Sequence, residues 1–170
     1  MEKILNSNSD CAVMEGKVSR QFIESSHQAK IPFVTVLMAV FNAEKWLSDA
    51  IKSVLAQSFE DFELLIVDDG SSDDSIRVAQ SFASIDSRIR LFQLLDNVGQ
   101  VQALNYGLCQ ARGDWIARFD ADDLCSPQRL ERQVEFVKSR NGKEIVLLGS
   151  GCSLIDGDGN SLGDYHYPVR

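Results

Sequence analysis

The sequence predicts an α/β fold in which a mostly parallel sheet has helices on both faces. Short runs of apolar and β-branched residues alternate with amphipathic helical patterns from residue 32 onward. The runs are continuously apolar, as in strands covered on both faces. Strict alternation with short loops is typical of parallel strands joined by right-handed crossover helices. The 170 residues, 44% of them hydrophobic, suffice for one domain with its own core.

Five segments have the composition of buried strands, and a sixth region predicts a hairpin. Residues 156–160 read Asp-Gly-Asp-Gly-Asn between the short apolar segments 153–155 and 161–162, which indicates a turn. A calcium loop is the weaker interpretation, because Ser161 stands where the loop needs glycine and Tyr167 where it needs a bidentate glutamate. The five predicted strands are 33–40, 62–67, 90–95, 115–119 and 145–148.

Residues with known capping preferences delimit four predicted helices between the strands. Short polar side chains favour the N-cap, proline the first turn and glycine the position after the C-terminus. Asp73 and Asp74 are expected in the first turn of the second helix, where the helix dipole favours negative charge. The expected boundary residues are Asn42, Ser72, Gly99, Gly113 and Ser126 with Pro127.

The acidic composition limits the classes of partner. The formal net charge is −8, from 17 basic and 25 acidic residues. Nucleic-acid surfaces are basic, so we expect no nucleic-acid partner, and attraction to anionic lipid is disfavoured for the same reason. No apolar run approaches the ~18 residues of a membrane span. We therefore expect a cytoplasmic protein, with peripheral attachment at the inner face of the membrane as the alternative.

The first 31 residues differ from the rest of the chain. They mix charged residues with short apolar steps and lack the pattern of a signal peptide. We interpret residues 1–31 as a leader, either poorly ordered or with a short helix around 18–25, and residues 32–170 as the folded domain. The four cysteines are widely spaced without a Cys-x-x-Cys pair, which predicts reduced thiols and no zinc site.

Two groups of acidic residues directly follow predicted strands. Asp68 and Asp69 follow the second strand, and Asp120, Asp122 and Asp123 follow the fourth. A single Asp-Gly-Ser turn is most often structural, but ligands of an open parallel sheet bind at the carboxyl ends of its strands, where both groups are expected. Clustered carboxylates repel one another, so the expected partner is a Mn²⁺ or Mg²⁺ ion completed by a phosphate ligand.

Seven segments together resemble family 2 glycosyltransferases of the GT-A fold. Residues 61–71 end in Asp-Asp-Gly-Ser, residues 97–99 form an Asn-x-Gly motif, and residues 119–123 contain Asp-x-Asp-Asp, with Pro127 four residues on. The resemblance covers about residues 33–150 and implies a nucleotide-sugar-binding domain truncated at its C-terminus, with the acceptor half absent. The other matching segments are 34–44, 50–59, 103–108 and 111–116.

The resemblance implies a base and ribose pocket around the first acidic group. Asp69 is expected to accept a hydrogen bond from the N3–H of uracil or an equivalent base edge, and Asp68 to support its loop. Relatives often have Pro or Thr in place of Ala39, and Tyr where this chain has Phe41, so a hydroxyl contact is lost there. The residues expected to line the base and ribose are Val40, Phe41, Asn42 and Glu44.

The second acidic group corresponds to the family's Asp-x-Asp motif. One of its carboxylates is expected to meet the ribose or the sugar, and the other a Mn²⁺ or Mg²⁺ ion that bridges the diphosphate. We assign Asp120 to the nucleotide, Asp122 to the metal in the first place and Asp123 in the second. Asn105 and the helix around it are expected beneath the diphosphate.

The implied function is inverting, metal-dependent transfer of a sugar from a nucleoside diphosphate donor, chiefly a UDP-sugar, to a saccharide or lipid-linked acceptor. Such enzymes need a general base, which we expect beyond Arg170; His166 is the weaker candidate. Apolar surface left by the absent half favours a homodimer. The implied process is polysaccharide synthesis for the cell envelope.

Three other functions are weighed against this interpretation. A donor-binding module without turnover fits a chain in which only half of the machinery is visible. A sugar nucleotidyltransferase shares the architecture, but its glycine-rich basic loop is missing near the first strand. A phosphatase with an aspartate nucleophile needs threonine where Leu124 stands and has no use for Asp68 and Asp69.

Overall fold

The computed structural model describes residues 18–19, 31–140 and 147–165, and its main element is a five-stranded sheet. The strands are β1 Val18–Ser19, β2 Val34–Val40, β3 Phe62–Asp68, β4 Ile89–Leu94 and β5 Trp115–Arg118. They lie in the order β1-β4-β3-β2-β5, with β2 to β5 parallel and β1 antiparallel to β4. The mostly parallel sheet expected from the sequence is confirmed.

Four helices and a hairpin complete the described elements. The helices are α1 Leu47–Leu55, α2 Ser75–Ala83, α3 Gln100–Gln110 and α4 Arg129–Ser139, and the first three alternate with β2 to β5. The antiparallel hairpin consists of β6 Cys152–Ile155 and β7 Ser161–Tyr165, as the turn at 156–160 predicts. The described residues divide into two compact units, one up to residue 131 and one from residue 132 onward.

Burial explains why the two central strands have no polar alternation. All seven residues of β3 and six of the seven in β2 are buried, because helices cover both faces of a parallel sheet. On one face α3 packs Ala103 and Tyr106 against Leu37, Leu65 and Phe92. This helix lies so close to the sheet that a Cβ at residue 107, a glycine, would collide with the side chain of Leu37.

Three helices begin later than the expected caps, so the caps predicted at Asn42, Ser72 and Ser126 are wrong. Asn42 and Ser72 instead join the two loops that follow β2 and β3, since Ser72 N–H donates to Asn42 Oδ1 at 2.9 Å. The carbonyl of Ser126 accepts from Gln57 Nε2 at 2.7 Å. Asp73 and Asp74 precede α2, and Asp74 is its N-cap.

The two glycine predictions have different outcomes. Gly99 is the N-cap of α3, with φ of 91°, as expected. Gly113 is not the residue after the helix, because α3 ends at Gln110 and Ala111 is already extended. Its backbone runs against β2 instead, where an added Cβ would lie 2.5 Å from the nitrogen of Thr35. Close backbone approach, and not helix termination, requires glycine at this position.

Two further predictions fall partly outside the described residues. Val18–Ser19 form a short strand, so the helix expected around 18–25 is wrong at these two residues, and residues 20–25 lie outside the described part of the chain. In the fifth predicted strand, residues 145–146 lie outside the described part of the chain, and residues 147–148 have no regular secondary structure.

A buried carboxylate in β3 joins three elements of the sheet. Glu63 is 5% exposed, and its Oε1 accepts hydrogen bonds from Thr35 Oγ1 and from the backbone N–H of Arg112, both at 2.7 Å. Its Oε2 pairs with Arg90 Nη1 at 3.1 Å. Arg90 Nη1 also donates to the carbonyl of Gln110 at 2.8 Å. The charge is therefore compensated by donors from β2, β4 and the segment after α3.

Replacing Glu63 by alanine should destabilise the fold strongly. The substitution leaves the guanidinium of Arg90, a side chain only 13% exposed, without its carboxylate. Breaking a buried pair in this way costs about 3–5 kcal/mol. We expect a loss of that size in the free energy of unfolding, measured by urea denaturation. The matched control is Glu60→Ala at an exposed position, with an expected change within about 0.5 kcal/mol. Equal effects of the two substitutions would contradict the role given to Glu63.

Candidate functional site

A cleft of about 640 Å³ lies at the edge of the sheet where β2, β3 and β5 end. This is the edge at which an open parallel sheet binds its ligands. Residues from both acidic groups line it, so the expectation that the two groups meet at one edge is confirmed. The predicted site residues that line the cleft are Val40, Phe41, Asn42, Asp69, Asp120 and Asp122.

Asp69 connects three loops at the base of the cleft. Its backbone N–H donates to the carbonyl of Val40 at 2.7 Å. Its Oδ1 accepts from the N–H of Val98 at 2.8 Å and its Oδ2 from the N–H of Gly99 at 2.9 Å. The next residue, Gly70, has φ of 69°, and a Cβ there would lie 2.7 Å from the carbonyl carbon of residue 96. The side chain expected to read the base is therefore also a structural link, and its contact with a base stays a prediction.

Asp68 is buried beside this link and is only half satisfied. It is 1% exposed, and its Oδ2 accepts from the N–H of Ser71 at 3.3 Å. Its Oδ1 has no hydrogen-bond partner among the described residues. Burial raises the pKa of this carboxyl, against hydrogen bonding from Ser71, and the charges of Asp73 and Asp69 raise it further. A proton on Asp68 would relieve the cost of a buried, partly unpaired charge.

Reciprocal hydrogen bonds hold the loop after β2 against the loop after β3. Asn42, with φ of 50°, donates from its N–H to Ser71 Oγ at 3.0 Å, in addition to accepting from Ser72. The N–H of Ala43 donates to Ser75 Oγ at 2.8 Å. We call these contacts, together with those of Glu44 described next, the interloop clamp. It fixes the wall of the cleft that contains Val40, Phe41 and Asn42.

Glu44 takes part in the clamp and is not among the residues that line the cleft. Its N–H donates to Asp73 Oδ2 at 3.0 Å, and its Oε2 accepts from the N–H of Asp74 at 2.9 Å. The second bond satisfies a backbone donor just before α2, a position where carboxylates are favourable. The structure thus gives Glu44 a role in holding the two loops, and contact with a ribose stays a prediction.

The second acidic group contains an exposed ion pair. Arg118 ends β5, and its Nη2 lies 2.7 Å from Asp120 Oδ1. The side chains of Arg118 and Asp120 are 55% and 37% exposed. Partial desolvation raises the pKa of Asp123, and the charges of Asp120 and Asp122 raise it further, while Arg129 and Arg118 oppose the shift. The cluster therefore has unbalanced negative charge at the end of β5, which β2 separates from β3 and Asp69 in the sheet.

The second acidic group can hold a divalent cation only if other ligands complete the coordination. No three His, Cys, Asp or Glu side chains converge on one metal position in the described part of the chain. Mg²⁺, however, is usually held by one or two carboxylates together with substrate phosphates and water. Asp120 and Asp122 face the same cleft, and their mutual repulsion with Asp123 is what a cation would relieve. The donor set fits an ion that is completed by a ligand's phosphates.

Not every predicted residue lies at the cleft. Asn105 is exposed on α3 and, like Asp123, does not line the cleft. His166, the weaker candidate for a base, lies outside the described residues. Among the described cysteines, Cys125 is buried and free, whereas Cys109 is disulfide-bonded. The expectation that all the cysteines are reduced thiols is therefore wrong.

Eight of the described lining residues are absent from the predicted site, and four of them have polar or aromatic side chains. Arg118 precedes the Asp-x-Asp motif at the end of β5, and Asn97 belongs to the Asn-x-Gly motif, so position relative to a motif could have identified both. Trp46 has the helical spacing of the apolar residues of α1, which predicts a core position, yet it is 36% exposed and lines the cleft. Nothing in the sequence distinguishes Gln100, the first residue of α3.

Solved structures with this fold are GT-A glycosyltransferases. S. aureus TarS 1–349 in complex with UDP superposes with a TM-score of 0.60 and 25% identity, over 64% of this chain and 32% of that one. The mannosyltransferase PcManGT from Pyrobaculum calidifontis, in complex with GDP-Man and Mn²⁺, superposes with a TM-score of 0.57. At 23% identity, over 70% of this chain and 36% of that one, PcManGT supports the fold alone. The predicted GT-A fold is confirmed.

The family follows from the sequence match. The family model for glycosyl transferase family 2 matches residues 35–156, and the chain belongs to that family. EpsE of Bacillus subtilis is 40% identical over 126 residues, 74% of this chain and 45% of EpsE. WbnJ of Escherichia coli, an O-antigen biosynthesis glycosyltransferase, is 31% identical over 142 residues, 81% of this chain and 53% of WbnJ. The chain spans about half the length of each of these two relatives.

In the residues that the structure describes, no helix is both long and apolar enough to cross a membrane. The cytoplasmic location, peripheral membrane attachment and a homodimer stay predictions.

The raised pKa of Asp68 predicts a specific dependence of stability on pH. A carboxyl with a raised pKa in the folded state binds its proton more tightly than in the unfolded chain. Its stabilising protonation is present at low pH and is lost as the pH rises from the ordinary value of 3.8 through the folded pKa. Relative to the Asp68→Asn variant, the parent should therefore lose stability as the pH rises through this window.

The measurement is reversible urea unfolding of both proteins at several pH values. Asp86→Asn is a control of opposite sign, because a hydrogen bond from Arg88 lowers the pKa of Asp86. Relative to this control variant, the parent should gain stability as the pH rises to the ordinary carboxyl pKa. A parent-to-Asp68→Asn difference that is independent of pH would show that the pKa of Asp68 is the same in the folded and unfolded protein, and would contradict the raised pKa.

Proposed function

We propose that this chain binds the nucleoside diphosphate of a hexosyl donor in its cleft and serves as the donor side of an inverting, metal-dependent glycosyltransferase. The observation that supports this most directly is the meeting of both acidic groups in one cleft of about 640 Å³ at the carboxyl edge of a parallel sheet. A pocket of this size is within the usual range for small-molecule sites. Complexes of similar proteins with UDP or GDP-Man agree with this ligand class.

The base and ribose lie, in this proposal, on the side of the interloop clamp. Phe41 is 50% exposed and offers an apolar surface for stacking, next to the Asn42 side chain. Asp69 lies at the inner end of this wall and, besides its two backbone donors, has lone pairs for a further N–H. Uracil presents such an N–H at N3, which favours a UDP-sugar as the donor.

The diphosphate lies on the opposite side, near Asp120 and Asp122. Asp122 is exposed and lines the cleft, so it is our first choice as metal ligand, with Asp123 second and Asp120 directed to the nucleotide. When bound, a divalent cation supplies Lewis-acid stabilisation to the departing diphosphate. Without it, the three carboxylates would repel a diphosphate, so these residues favour the donor only when their charge is compensated.

The acceptor is, in this proposal, a saccharide or lipid-linked hydroxyl that attacks the anomeric carbon while the diphosphate leaves with the bonding electrons. The hydroxyl proton passes to a general base, a contribution of typically 10²–10⁴-fold. The cleft carboxylates are already directed to the donor and the metal, so we assign no base among the described residues. The similarity to WbnJ, an O-antigen biosynthesis glycosyltransferase, favours polysaccharide synthesis for the cell envelope.

Metal should determine whether the cleft binds nucleoside diphosphates. We expect UDP or GDP to bind the purified chain about ten-fold or more tightly with Mn²⁺ than with EDTA, because the ion relieves the repulsion between carboxylates and phosphates. In the Asp122→Ala variant this difference should largely disappear. Isothermal titration calorimetry measures both quantities, with Glu60→Ala as a control at an exposed carboxylate that precedes β3 and does not line the cleft. Equal affinity with and without metal in the parent would remove the metal from the proposal.

Base recognition by Asp69 can be separated from its structural role. In Asp69→Asn the amide oxygen still accepts a hydrogen bond. The amide N–H₂, however, replaces the second acceptor and faces another donor, either a backbone N–H or the N3–H of uracil. A hydrogen bond to a charged group contributes about 1.5–3 kcal/mol, so UDP affinity should fall about ten-fold or more. CDP separates the two roles, because N3 of cytosine is an acceptor that the new amide can bind.

If Asp69 contacts the base, Asp69→Asn should weaken UDP binding and shift the preference towards CDP. If Asp69 only holds the loop of Val98 and Gly99, both nucleotides should weaken by the same factor. Calorimetry with the two nucleotides and Mn²⁺ distinguishes these results. Unchanged binding of UDP would show that neither role limits affinity.

A further inference from the structure

The cleft has little positive charge of its own for an anionic ligand. Among the described residues that line it, Arg118 is the single cation, whereas Asp69, Asp120 and Asp122 are anionic. The donor of the proposed function brings a diphosphate, which is also anionic. Arg118 is therefore the protein group in the lining that can attract the phosphates, and its position decides whether it can do so.

The position of Arg118 suits a phosphate contact. It ends β5 next to the Asp-x-Asp motif, and its side chain is 55% exposed at the cleft. Its carbonyl oxygen accepts from Arg129 Nη2 at 3.2 Å, which anchors its backbone while leaving the guanidinium outside that contact. A guanidinium has five N–H donors in a planar fork and binds phosphates in a bidentate manner.

In the described structure the guanidinium is held by Asp120, through the 2.7 Å bond from Nη2. Both partners are more than a third exposed, and ion pairs between exposed groups contribute little to stability. The pair is therefore easily exchanged for a better one. It also neutralises one of the carboxylates that would otherwise repel the phosphates.

We propose that Arg118 is a diphosphate-binding residue that is paired with Asp120 in the ligand-free cleft and transfers to the donor's phosphates on binding. Asp120 is then free to meet the nucleotide or the cation. This inference rests on the proposed function, because it assumes that a nucleoside diphosphate occupies the cleft. It adds a specific phosphate ligand and a coupling between Arg118 and Asp120.

The first test compares UDP with uridine, which lacks the phosphates. In the Arg118→Gln variant the affinity for UDP in EDTA should fall about ten-fold, the size expected for a hydrogen-bonded charge pair, while the affinity for uridine stays within about two-fold. Arg118→Lys should retain part of the UDP affinity, because it keeps the charge without the fork. The matched control is Arg77→Gln, an arginine 79% exposed on α2, which should bind both ligands as the parent does.

The second test measures the coupling between the two side chains. Asp120→Asn releases Arg118 from its ion pair, which should favour binding of UDP in EDTA. This gain in affinity should be present in the parent and absent in the Arg118→Gln background, so the substitution should be more favourable in the parent. The expected difference is roughly two- to five-fold, the size of an exposed ion pair. Equal effects in both backgrounds would overturn the exchange of partners.

The outcomes separate this inference from the proposed function. Equal losses of UDP and uridine in Arg118→Gln, or no loss of UDP in either Arg118 variant, would overturn the phosphate contact while the proposed function stands. A parent protein that binds neither UDP nor GDP, with or without Mn²⁺, would overturn both. Circular dichroism of each variant confirms that the fold is retained before the affinities are compared.

Discussion

The hydrogen bonds between Asp69 and the N–H groups of Val98 and Gly99 are the constraint on which the cleft depends. Asp69 follows the central strand, and its own N–H extends the β2–β3 contact through Val40. One buried residue thus sets the distances between the loops after β2, β3 and β4. Because Gly99 is also the N-cap of α3, the positive end of this helix already has a carboxylate bound. The proposed function accordingly assigns the phosphates to the side of Arg118 and the Asp-x-Asp motif.

The fold could be predicted because its signal is local. Continuous apolar runs identify strands buried on both faces, and the acidic residues that follow β3 and β5 must meet wherever parallel strands end at one edge. The wrong predictions concern side chains that can bind either a nearby backbone group, as a helix cap does, or a residue distant in the sequence. Asn42 and Ser72 have the chemistry of N-caps, yet in the folded chain they lie close enough to bind each other. That proximity is a property of two loops from different parts of the sequence, and no local pattern encodes it.

The same reasoning explains the uneven prediction of the site. Asp69 and Asp122 are recognisable because motifs surround them, and Arg118 was missed because a strand residue next to a motif has no pattern of its own. Glu44 belongs to a matched segment, but the structure uses its carboxylate for the N–H of Asp74. Asn105 lies on an exposed part of α3. A family motif predicts which segments meet, whereas the partner of each side chain depends on distances of a few ångströms.

The two sides of the cleft differ in rigidity, and this difference has a consequence for recognition. On the side proposed for the base, the interloop clamp and Asp69 fix backbone and side chains through hydrogen bonds of 2.7–3.0 Å. On the side proposed for the phosphates, Arg118, Asp120 and Asp122 have exposed side chains, and the ion pair of Arg118 with Asp120 is easily exchanged. A preformed wall discriminates between ligands at little entropic cost, whereas exposed charges adapt to the ion and phosphates that arrive. In the proposed function, selection of the base and response to the metal therefore fall to different sides of one cleft, at the ends of β3 and β5.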